Sequence, residues 1–200
     1  GTSEYRGNPN PLQEIHPGPS YVQDFLNRGL MLGFLAGTDT HATMPSAAGV
    51  EPGHIDRYPG LTAVRAGSLD RRSIFENIRC RNCYGASLER IFLQGTVADV
   101  PFGGRTTGTA LELSRVISVK AAGKSDILSL DIIRNGEVVH SVVSGDTWRI
   151  DFEWEDAEPL KGLWQDSKHI GPFVYYYVRV TCRSGAQAWA SPVWITRSRA

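Results

Sequence analysis

The sequence predicts an α/β unit over residues 1–95 followed by an all-β antiparallel sandwich over residues 96–200. Three observations carry that expectation. Helix-period runs and short strand-like runs alternate as far as about residue 95. Beyond it, segments that alternate apolar and polar residues at period two follow one another, with turn signals between them. The change falls where Gly95, Gly103, Gly104 and Gly108 loosen the chain.

In chain order, residues 9–19 are rich in proline and glycine and read as a loop. Ser20 is a suitable N-cap for a helix over residues 21–28, whose Val22, Phe25 and Leu26 share one face, and Gly29 suits its end. The run MLGFLA, residues 31–36, reads as a short strand buried on both faces, in the manner of a parallel sheet. The stretch from Gly37 to Gly60 is longer than a plain connector requires, and loops of that length tend to carry function. LTAVRA, residues 61–66, is the next strand. Asp70 then caps a helix over Arg71–Arg79, with Leu69 and Ile74 spaced for a hydrophobic staple. RIFLQGTVA, residues 90–98, supplies a further strand.

The second half has a different pattern. ELSRVISVKA, residues 112–121, alternates at period two, and residues 127–143 form a hairpin around Asn135-Gly136, a pair that supplies the positive φ angles of a tight turn. In WRIDFEW, Trp148, Ile150, Phe152 and Trp154 fall on one side, opposite Arg149, Asp151 and Glu153. Residues 173–195 read as strands folding back at Ser184-Gly185.

Composition narrows the function classes. Lys plus Arg and Asp plus Glu are both 21, so no global electrostatic attraction to nucleic acid or an anionic membrane arises. No apolar run reaches the length of a bilayer span. Cys80, Cys83 and Cys182 are too few for a disulfide framework. The Cys80/Cys83 pair has no second pair to complete a zinc tetrahedron, so all three read as ordinary thiols.

The pattern with chemistry in it is Asp39-Thr40-His41, just beyond the run 31–36. In extended backbone, residues two apart project to one side. A carboxylate and an imidazole so placed are suitable ligands for zinc, manganese or iron, and sites in parallel α/β folds gather beyond the strand ends. An ordinary polar turn with a solvated histidine is the competing reading. Arg6 is a candidate for pairing with an anionic substrate. His16 and His54 flank the same region in sequence, whereas His140 and His169 stand alone.

The run GFLAGTDTHATMPS, then GLTAV at residues 60–64 and LDRRSIF at residues 69–75, then RIFLQG, resembles the C-terminal part of PHP-type (polymerase and histidinol phosphatase) metal-dependent hydrolases. The similarity is to a branch ending in a β-rich region. It implies a partial distorted barrel, divalent metal ions, and hydrolysis of a phosphoester or other small substrate by metal-activated water. It assigns Asp39 and His41 to the family's last ligand pair. The family's early His-x-His motif does not occur in these 200 residues, so this stretch by itself is expected to be an inactive C-terminal fragment. A rival of another class is a non-catalytic β-sandwich that binds carbohydrate or protein and carries a structural α/β appendage. Its basis is that Trp148, Trp154, Trp164, Trp189 and Trp194 all lie in the β-rich half.

Overall fold

The computed structural model describes Glu4 and residues 21–37, 60–108 and 114–197. Helix α1 (Val22–Asn27) comes first. Its start is held by the Asp24 carboxylate, which accepts from the Tyr21 backbone N–H at 3.1 Å. Strand β1 (Gly60–Val64) leads through helix α2 (Arg71–Arg79) to β2 (Cys83–Ser87). Asp70 caps α2, its side chain accepting from Ser73 N at 2.8 Å. Strands β3 (Phe92–Val97), β4 (Val100–Pro101), β5 (Arg105–Gly108) and β6 (Val116–Ala122) follow. The hairpin β7 (Ile127–Arg134) and β8 (Glu137–Val143) turns at Asn135 and Gly136, whose φ angles are 53° and 88°. Then come β9 (Arg149–Glu155), β10 (Phe173–Cys182), β11 (Gln187–Ala190) and β12 (Val193–Arg197).

The described residues are mostly β, with few helices. An eight-stranded sheet runs β1-β2-β11-β10-β12-β5, with β7 on the other edge of β10 and β8 beyond it. A four-stranded sheet runs β4-β3-β6-β9. All pairings are antiparallel except β5 with β12. The sheets face each other across one core. Leu93, Val97, Ile117, Val119 and Ile150 of the smaller sheet meet Leu130, Ile132, Val174, Tyr176, Val178 and Val180 of the larger.

Strand β10 is buried on both faces. Its even-numbered residues from Val174 to Cys182 enter the core between the sheets. Phe173, Tyr175 and Tyr177 enter a second cluster on the far side with Leu26, Ile133 and Trp194, against which Val22, Met31 and Phe34 pack. Helix α1 and the segment after it are thus a cover for the outer face of the large sheet. Gly29 makes the turn between them at φ 79°, where an added Cβ would sit 2.4 Å from Ser167 Oγ.

These arrangements correct the expectation for the first half. Strand β1 pairs antiparallel with β2, in register Gly60 to Ser87 through Val64 to Cys83, and the described residues contain no barrel. Residues 31–36 form no strand. They are an extended strap held by side chains: Phe34 N donates to Ser191 Oγ at 2.8 Å, and Thr62 Oγ1 both accepts from Ala36 N (3.0 Å) and donates to Ala36 O (2.8 Å). Leu32 and Leu35 of this strap are exposed. Glycine is needed at position 33, where a Cβ would lie 2.9 Å from Arg81 Cγ. The staple is absent too, since Leu69 is 95% exposed. In β9, Ile150 is buried and Phe152 and Trp154 pack against the core, as the alternation predicts, but Trp148 is exposed.

The three cysteines are free thiols; Cys80 is exposed, whereas Cys83 and Cys182 are buried. Burial and the nearby Glu89 carboxylate push the Cys182 thiol up to about 12. In native protein near neutral pH, one thiol should therefore react promptly with an aromatic disulfide reagent, and that signal should vanish in Cys80→Ser. The other two should respond only on unfolding; three equally fast thiols would contradict this packing.

Candidate binding surface

Charged side chains inside the apolar strands come to rest against one another. Arg179 interrupts the run FVYYYVRVTC, and the register of β10 on β7 sets it opposite Asp131. Its Nη2 donates to Asp131 Oδ2 at 2.8 Å and its Nη1 to Glu4 Oε2 at 2.9 Å. The buried Glu4 carboxylate also accepts from Tyr177 Oη at 2.6 Å and Trp189 Nε1 at 3.0 Å. Burial alone would make Arg179 easier to deprotonate. The Glu4 charge and the bonds to Asp131 and Glu4 outweigh burial and raise its pKa. Burial, then the Glu4 charge, raises the pKa of the Tyr177 hydroxyl.

A second cluster sits at the C-terminal end of β7, three residues beyond Asp131. The Asp156 carboxylate, whose side chain is 3% exposed, accepts from Arg134 Nη1 and Tyr176 Oη, both at 2.7 Å, and lies 3.4 Å from Arg115. Arg134 also reaches Glu158 at 2.6 Å. Burial opposes ionisation of Asp156, but the hydrogen bonds from Tyr176 and Arg134 prevail and hold its pKa below the usual 3.8. A third group joins Ser125 Oγ to Glu89 Oε1 at 2.9 Å and to Ser184 Oγ at 2.9 Å. In all three groups the polar atoms bind strands or their connections together.

The open features are apolar and lie towards the N-terminal side of the sequence. Helix α2 has an amphipathic pattern, yet none of its residues is buried. Ile74 and Ile78 are half-buried, while Phe75 is 64% exposed. Leu69, just before the helix cap, is exposed, as are Leu32 and Leu35 on the strap that crosses Arg81 and Gly85. Separately, a cavity of about 390 Å³ opens between the β1–β2 pair and the start of β3. Leu61, Thr62, Ala63, Tyr84, Ala86, Arg90, Ile91 and Phe92 line it. Tyr84 Oη donates to Ile91 O at 2.8 Å and accepts from Leu93 N at 3.2 Å, fixing the chain between β2 and β3.

Arg6, Asp39 and His41 lie outside the described residues, as do His16 and His54. His140 stacks on Phe152 and Trp154, with ring centroids 5.5 and 4.8 Å away, and His169 belongs to a turn in which its N–H donates to Ser167 Oγ. Among the described residues, no group of three or more His, Cys, Asp or Glu is placed to hold a metal ion. The zinc, manganese or iron expectation rests on Asp39 and His41, which are not among them. No described helix is long and apolar enough to cross a membrane. The buried charges escaped the motif reading, although a lone Arg179 or Asp131 in an apolar strand is a signal for a buried partner. Nothing in the sequence singles out the cavity.

The chain is similar over nearly its whole length to three chlamydial proteins, each named only as uncharacterized. It is 33% identical over 200 residues to one from Chlamydia pneumoniae, covering 97% of this chain and 32% of that protein. Identity is 32% with one from Chlamydia muridarum and 31% with one from Chlamydia trachomatis serovar D, covering 96% of this chain and 32% of each protein. The chain thus spans about a third of the length of these relatives. No protein-family model matches it, and no solved structure matches it significantly. The resemblance to PHP-type hydrolases is overturned. The relatives carry no such name, and GLTAV, expected as a barrel strand, is an antiparallel edge of a β-rich molecule.

The Asp156 cluster has a pH signature. Because its folded pKa lies below 3.8, the stabilisation it contributes is complete above that value and is lost as pH falls through the lower folded pKa. Asp156→Asn leaves Arg115 and Arg134 without their shared carboxylate and should cost about 3–5 kcal/mol at neutral pH. Urea unfolding should also show the variant losing less stability on acidification than the wild type; equal acid sensitivity would exclude this role.

Proposed function

We propose that this chain is a non-catalytic β-sandwich module that binds another folded polypeptide surface through the α2 side of the molecule. One observation carries the reading: α2 has the residue pattern of a packed helix, yet Ile74 and Ile78 are only half-buried, and Phe75 is 64% and the adjoining Leu69 95% exposed. Burying one such side chain fully is worth about 1.5–3 kcal/mol, and contiguous exposed apolar surface marks interaction sites. Leu32 and Leu35 add to the apolar surface of the same N-terminal elements. The similarity to one third of much longer chlamydial proteins supports a module set beside other sequence.

A polypeptide is favoured over carbohydrate by where the aromatic rings go. Tyr175, Tyr176, Tyr177 and Trp194 are fully buried, and Trp189 packs against the outer cluster, so these rings are committed to the core. Exposed Trp148 alone makes no stacking platform.

The test is a photo-crosslinking amino acid at position 75, in the intact polypeptide that carries this sequence, with exposed position 153 as reference. Position 75 should give one discrete polypeptide adduct, in the same chain or another, at several times the yield from position 153. Equal low yields would refute the reading. Leu69→Asp/Phe75→Asp should melt at the wild-type temperature, because both side chains already face water, and should be less prone to associate in sedimentation.

A further inference from the structure

The smaller sheet does not extend over the far end of the larger one, and this mismatch leaves part of an inner strand face uncovered. Leu61 and Ala63 project from the same side of β1, opposite Ala86 and Tyr84 of β2 in the pairing register. Ala86 is 3% exposed and belongs to the core between the sheets, so this is the face that continues into that core. Over β1 the covering strand is missing among the described residues, and the roughly 390 Å³ cavity takes its place. The other wall is the entry to β3, where Ile91 is buried and Phe92 is 51% exposed.

The lining offers little polarity. The Tyr84 hydroxyl is engaged with Ile91 O and Leu93 N, and the Thr62 hydroxyl with Ala36 O. What is left is one full charge, the exposed Arg90 guanidinium, which forms no ion pair or hydrogen bond among the described residues. Apolar walls with a single convergent cation suit a ligand whose body is hydrocarbon and whose one polar group is an anion able to take two N–H donors.

We infer that this cavity binds a small apolar carboxylic acid, with its chain or ring over Leu61, Ala63 and Tyr84 and its carboxylate on Arg90. This inference is independent of docking through α2, because it uses a different surface.

The probe is octanoate, followed by two-dimensional amide NMR of the wild-type chain, with octylamine and acetate as comparisons. Octanoate should bind saturably with Kd on the order of 1 mM or below. Its shift changes should centre on residues 61–63, 84–86 and 90–92. Octylamine, which carries the wrong charge, and acetate, which lacks the tail, should each bind at least about tenfold more weakly. Arg90→Gln, a change at an exposed side chain, should weaken octanoate by about tenfold while leaving the melting temperature unchanged. Ala63→Leu should reduce affinity by filling the cavity; should it fold poorly, Leu61→Gln serves the same purpose from the neighbouring wall. Absence of saturation at several times that concentration, shift changes centred elsewhere, or equal binding of octylamine would each overturn the assignment.

Discussion

The described structure is arranged around one strand, β10, that is buried on both faces over most of its length. Strand β10 places Tyr176 in the core between the sheets, and Tyr175 and Tyr177 on the other side. Such a strand needs cover twice over. The smaller sheet provides it on one face, and α1 with the strap that follows provides it on the other. It also needs a partner for every buried hydroxyl, since an unsatisfied one costs about 1–3 kcal/mol. Tyr175 donates to Asn27, Tyr176 to Asp156 and Tyr177 to Glu4. Three consecutive tyrosines therefore tie together a helix end, the connection after β9 and a residue near the start of the chain.

That constraint explains why the charged clusters are structural. Arg179 sits in β10 itself, where a lone guanidinium would be costly to bury; the facing Asp131 and the distant Glu4 neutralise it. Glu4 reaches across 175 positions of sequence to do so. The Asp156 cluster does the same around Arg134, the last residue of β7 before its turn. These charges act between strands and their connections.

The β-rich half was legible because its signals are local. The Asn135-Gly136 turn, the alternation in β9 and the fold-back at Gly185 each lie within a few residues, and each is present in the structure. Cap Asp70 and the bounds of α2 were legible for the same reason. The first half misled because a short apolar run has no direction. MLGFLA fits a buried parallel strand and an extended strap equally well, and only the distant Ser191 and Thr62 hydroxyls decide between them. The strand GLTAV likewise carries no mark of whether its neighbour runs parallel or antiparallel. The candidate ligands Asp39 and His41 rest on their spacing, their place beyond an apolar run and the family resemblance, and they fall outside the described residues. Helix α2 has the opposite problem: its pattern predicts full packing, whereas in the structure Ile74 and Ile78 are only half-buried and Phe75 stays exposed.

The two open features share a cause. Strand β10 has neighbours on both edges and cover on both faces, whereas β1, β2 and α2 form the far wing of the larger sheet. An eight-stranded sheet facing a four-stranded one must have such a wing. Its inner face meets a cavity instead of a strand, and its connecting helix leaves Phe75 in water. Uncovered apolar surface is unfavourable for a folded chain standing alone, so retaining it at one end is most readily understood if something else sits there. Under the proposed binding role, the core would serve as a rigid mount and the wing as the recognising surface.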